Sequence, residues 1–217
     1  MANTVTIEVD ANTRGAEKNI GGMGSKIKNL AKPVAIGSAA VTGMAAAAIK
    51  LGDEFKEAEN IIRAGTGASG EDLEALKTSF NDVFANVPND SKEVATAIAD
   101  LNTELGLTGE DLTSASTAFL NLSRTMGDDA SAAIKAVSDS LVAFGEPADS
   151  VESHLDKLTV ASQAVGVPVT KLAESVVKFS PQLKEMGFSL EESTALFANM
   201  EAAGLETSRM MPGLNTA

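Results

Sequence analysis

Apolar residues recur at steps of three and four along most of this chain. Leu73, Leu76, Phe80, Val83 and Val87 trace one stripe, and Leu112, Ala115, Phe119, Leu122 and Met126 trace another. The same spacing returns in Val94, Ile98, Leu101 and Leu105, in Ile134, Val137, Leu141 and Phe144, and in Leu172, Val176, Phe179, Leu183 and Met186. Steps of three and four keep side chains on one face of a helix, so the pattern predicts amphipathic helices of about four turns.

Glycines punctuate the stripes at Gly106, Gly127, Gly145, Gly166, Gly187 and Gly204. A residue just past a helix end often takes positive φ, which glycine does without a Cβ clash, and the next apolar residue packs back on the last turn. Leu107, Val167, Phe188 and Leu205 hold that next position. Start signals follow at Thr108 before Glu110 and Asp111, at Thr170 before Lys171, and at Ser189 before Glu191 and Glu192. A hydroxyl there can accept from a free N–H, and acidic residues favour the positive helix end. Stop and start within a few positions predict tight turns between antiparallel helices over 65–217, against one unbroken coiled coil.

The beginning of the chain reads differently. Val5, Ile7 and Val9 alternate with Thr4, Thr6, Glu8 and Asp10, the period of a half-buried strand within 1–12. A Gly/Ala-rich helical segment is expected over 13–64. Within it, residues 34–51 carry one charge, Lys50. Their length approaches a bilayer span, but Ala, Gly, Ser and Thr insert less favourably than Leu or Ile. Ala39, Gly43 and Ala47 stand at spacings of four that allow close helix packing, which is the favoured reading. The expected class is therefore all-α: an array of antiparallel amphipathic helices, preceded by a short strand and a long Ala/Gly-rich helix.

Composition narrows the function. The formal charge of −13 opposes a nucleic-acid partner, since neutralising phosphates requires surplus Lys and Arg. Without cysteine there is no disulfide framework or thiolate metal site, a pattern suited to a reducing compartment such as the cytoplasm. No basic-then-apolar leader opens the chain.

The candidate sites are weak. Gly65, Gly67 and Gly70 spell a dinucleotide-loop pattern, but a helical stretch through Ile61 and Ile62 precedes it where a strand is needed, and Glu71 and Asp72 follow where phosphate would sit. An interhelix turn is expected. His154, the single histidine, lies beside the stripe Val151, Leu155 and Leu158 and is expected to face solvent. The pairs Asp128 with Asp129 and Glu191 with Glu192 fit helix first turns without any acid–base role. No catalytic, cofactor or metal site is expected.

The order of a strand, a Gly/Ala-rich segment running into LGDEFKEAENIIRAGTGASGEDLEAL, and turns such as LGLTGEDL and MGFSLEES resembles the core region of TP901-type phage tail tape measure proteins. Phe55 and Glu57 to Ala58 sit where that family has an acidic, Phe-bearing helix. Thr66 to Asp72 match its small-residue turn, and EMGFSLEESTALFANMEAAGLETSRMMPGL its late turn and helix. Family members are usually much longer, and the end, Pro212 to Ala217, stops just after a turn where they continue with another helix, so a fragment or a truncated gene is expected. The resemblance implies a structural protein in the tail tube lumen that sets tail length, scaffolds tube assembly and leaves during genome delivery. It also implies self-association and contact with the tail tube protein, tail assembly chaperones and baseplate or tail tip proteins. Two alternatives stay open at this point: a membrane-active, pore-forming role centred on residues 34–51, with host membrane contact, and an unrelated helical adaptor.

Overall fold

In the computed structural model the backbone of residues 39–205 and the side chains of residues 52–205 are described. The strand expected within 1–12 lies outside these residues, as do the side chains of 34–51 on which the membrane and small-residue readings rest. Residues Ala46–Ala217 constitute one compact unit, separate from Met1–Ala45.

Eight α-helices succeed one another among the described residues. They are α1 (Ala39–Thr66), α2 (Gly70–Asn86), α3 (Ser91–Leu105), α4 (Gly109–Met126), α5 (Ala130–Phe144), α6 (Val151–Val165), α7 (Val169–Glu185) and α8 (Leu190–Ala202). A single 3-10 turn, Ala148–Ser150, leads into α6. Helix α2 packs on α4, α4 on α6 and α6 on α8, while α3 packs on α5 and α5 on α7. Chain neighbours pack as well. Two layers result, with the chain crossing from one to the other at each turn. This is an array of helical hairpins built from contacts between near neighbours, in the manner of repeat proteins.

The layers arise from a sequence period. Gly70 opens α2 and Gly109 opens α4, 39 residues apart (109 − 70). At the same interval stand Leu73, Leu112, Val151 and Leu190, then Phe80, Phe119, Leu158 and Phe197, all buried. In the other layer Val94, Ala133 and Leu172 repeat with Ile98, Val137 and Val176, again all buried. Three repeats without insertions thus run over 67–105, 106–144 and 145–183. Because each amphipathic helix presents one apolar stripe, stacking equivalent helices lets the stripes merge into a continuous core.

The turns are largely those the glycines predict. Gly106, Gly127, Gly145 and Gly166 are left-handed caps. After α7 the N–H of Phe188 donates to the Leu183 carbonyl at 2.9 Å and that of Gly187 to Lys184 at 3.0 Å, the paired bonds that close a helix end. Gly187 holds φ +83° and Gly204 +67°. Start signals divide. Ser189 forms a full capping box with Glu192, whereas Thr108 caps α4 by position without a side-chain bond. The start expected at Thr170 is corrected. Pro168 is the N-cap of α7 and Val169 its first residue. Proline locks φ at a value suited to helix entry.

That start is completed from elsewhere. Asp128, in the turn before α5, accepts from the Val169 N–H at 3.0 Å. Its neighbour Asp129 caps α5 itself by accepting from the Ala132 N–H at 2.8 Å. Farther along α7, Pro181 cannot donate to the Val177 carbonyl, and the Ser180 hydroxyl does so at 2.9 Å.

Helix α1 shares the core through Ala58 and Ile62. The Phe55 ring stands edge-on to Phe80 and Phe84, with centroids 5.5 and 5.6 Å away. Near its end a Cβ on Gly65 would lie 2.9 Å from that of Ala99, so only glycine permits this approach to α3.

Candidate functional site

The sequence-derived candidates do not converge on one place. Gly65 lies in the last turn of helix α1, Gly67 and Gly70 take φ of +69° and +59°, and α2 begins at Gly70. The glycine pattern is an interhelix turn entered from a helix, without the strand a dinucleotide loop requires. Glu191 and Glu192 occupy the first turn of α8, while Asp128 and Asp129 each serve a helix N-terminus. Among the described residues no group of three His, Asp or Glu side chains is placed to hold a metal ion.

His154 is where structure and sequence reading part. The expectation of a solvent-facing ring is corrected: His154 is 4% exposed on α6, and its Nε2 lies 2.9 Å from the Ser140 hydroxyl of α5. Ser140 donates to the Val137 carbonyl at 2.7 Å, so its oxygen accepts from a neutral ring carrying the proton on Nε2. The repeat supplies the reason for burial. One period earlier His154 corresponds to Ala115, two periods earlier to Leu76, and one later to Ser193, each of them buried. A single-stripe reading misses this because His154 stands next to Leu155; the doubled period reveals it.

Burial pushes the His154 pKa down to about 4, with the Lys157 ammonium acting in the same direction and Glu191 opposing. Lys157 and Glu191 form an ion pair over a small cavity of about 130 Å³ that His154 lines. Glu191 is shifted down by its hydrogen bond to Lys157. One uncharged imidazole facing a serine resembles part of a nucleophilic pair. The serine hydrogen is committed to a backbone carbonyl, however, and the ring is enclosed by α5, α6 and α8, so the pair functions as a packed polar joint between repeats.

Residues 85–217 match the family described as phage-related minor tail protein. The chain belongs to that family. Among curated relatives, the tape measure protein of Pneumococcus phage Dp-1 is 30% identical over 167 residues, covering 77% of this chain and 14% of that protein. The chain spans about one-seventh of its relative's length. No solved structure matches. Membership of that family makes the chain a structural component of the phage tail, and its described residues are built from helices and turns. None of its described helices is long and apolar enough to cross a membrane.

Proposed function

We propose that this chain is the folded module of a tape measure protein that sets tail length and scaffolds tube assembly from within the tube, leaving it during genome delivery. The observation that carries the reading is the similarity to a tape measure protein across 77% of the chain. In this reading residues 1–12 and 13–64 lead into the helical core of 65–217, with α1 contributing to both. Tail tube protein, assembly chaperones and tail tip proteins are its partners. It needs no cofactor and performs no catalysis.

The repeat architecture gives the module a particular place in the mechanism. An extended helix adds about 1.5 Å of ruler per residue. Hairpins stacked at interhelical distances of roughly 8–10 Å add far less, so these residues serve docking and assembly more than measurement.

Two deletions in a phage whose tape measure protein contains this chain test that assignment. Excising 106–144 removes one full period and leaves each stripe facing its equivalent, so tails form with nearly unchanged length. An extended ruler would instead shorten by about 58 Å at 1.5 Å per residue. Excising Lys171–Met186 removes most of one helix and exposes its neighbours, so few tails form. Electron micrographs read both results, and shortening in proportion to either deletion defeats the folded-module reading.

A further inference from the structure

The 39-residue period allows neighbouring helix joints to be compared position by position. Between α6 and α8 the Lys157 ammonium pairs with Glu191 of the next helix, and the space left beside them is about 130 Å³. One period earlier the same two positions are Ala118 (157 − 39) on α4 and Glu152 (191 − 39) on α6. The carboxylate is kept and its lysine is gone. Glu152 accepts from the Ser114 hydroxyl at 2.6 Å, and a groove of about 920 Å³ runs past both along α2 and α4 to the start of α6. Asp82 and Glu110 line the same groove, and none of the three carboxylates pairs with a Lys or Arg among the described residues.

The joint one period later shows what such a carboxylate receives: the tip of a long cationic side chain lying across two stacked helices. We propose that the groove docks a basic segment of a different protein, with a lysine or arginine taking at Glu152 the place that Lys157 takes at Glu191. Further cations of that segment meet Asp82 and Glu110, while Ala75 and Ala118 supply apolar contact. A segment fits better than a lone cation because the carboxylates are spread over α2, α4 and α6. Charge selects a different protein over a second copy. Copies that each carry a net charge of −13 repel one another. Every lysine within 52–205 is also engaged already: six lie in ion pairs, Lys184 donates to the Ala143 carbonyl, and Lys178 stands over the Phe179 ring. The inference is independent of any ruler function.

Fluorescence anisotropy tests it with the intact chain and a labelled alanine-based helical peptide bearing a lysine at every fourth position. The peptide is expected to bind, and to bind more weakly as salt rises, while the same peptide with glutamate for lysine does not bind. Glu110→Gln with Glu152→Gln is expected to weaken binding about tenfold or more. Glu174→Gln with Glu185→Gln removes as much charge from exposed positions of α7 and should change it by less than about twofold. Ala118→Lys rebuilds the Lys157–Glu191 pair one period earlier and is expected to abolish binding, whereas Ala164→Lys, the same charge change at an exposed position of α6, leaves most of it. Should Ala118→Lys lose helicity by circular dichroism, the glutamine variants decide. A chain that ignores the lysine peptide overturns the proposal. So does binding that survives the groove variants or falls equally in the controls. Self-association of the wild-type chain that Glu110→Gln with Glu152→Gln abolishes, read by sedimentation velocity, would seat a second copy in the groove and overturn the assignment to a different protein.

Discussion

Repeats 106–144 and 145–183 share one register and solve it with different chemistry. The first opens with Gly109 and an acidic turn, caps α5 locally with Asp129, and presents Ala115 and Phe119 to the core. In the second a 3-10 turn replaces that opening, Pro168 replaces the capping aspartate, and His154 stands in the place of Ala115. The weaker local signals of the second repeat are offset by contacts to the first: Asp128 reaches the α7 N-terminus and Ser140 meets His154. A repeat can lose its own start signals when its neighbour supplies the missing partner, because stability in such arrays is shared between a repeat and its interfaces.

The largest expected effect tests whether the register is truly a shared core. Phe119 and Leu158 are equivalent and each fully buried. Phe119→Ala should cost about 3–5 kcal/mol and Leu158→Ala about 2–5 kcal/mol. Chemical denaturation measures both, and a cost below about 1 kcal/mol at either would show that equivalence in sequence is not equivalence in packing.

Acid should separate the two repeats next. The His154 pKa is about 4 when folded, against the ordinary histidine value of 6.5 in an unfolded chain. The unfolded state therefore binds a proton first as pH falls. This contribution to stability is constant above about pH 6.5, declines between about 6.5 and 4, and levels off below about 4. Its size is on the order of 3 kcal/mol. His154→Leu should remove that decline while leaving the Ser140 bond to Val137 intact. Parallel stability–pH curves for variant and wild type would mean that the ring is not held neutral by burial.

Capping gives a smaller contrast. Asp128→Ala removes the bond to Val169 and should destabilise by about 1 kcal/mol, with hydrogen exchange rising first at the start of α7. Asp129→Ala should cost a similar amount but loosen α5. Loss of protection in α5 alone from both variants would refute the bond between repeats. Least of all, Lys171→Ala should change stability by less than about 0.5 kcal/mol, because its pair with Glu201 sits at the surface. A larger thermal shift would assign that pair a structural role.

Glycine and stripe spacing already placed every turn after Gly106 and most helices, since both are local constraints on φ and on which face is apolar. Ser189 with Glu192 was equally legible, because a capping box is contained within four residues. The 39-residue period was present in the same letters, yet it is the doubled spacing of hairpins and not of single helices, so reading one helix at a time passes over it. What the tertiary structure alone decided is how those helices pair. It set α2 on α4 and α3 on α5, carried Asp128 to a helix 41 positions away, and enclosed His154 between α5, α6 and α8. A periodic stripe specifies which face must be buried, but any apolar face satisfies it; only the packed neighbours determine what lies opposite, and hence whether a histidine there meets water or a serine.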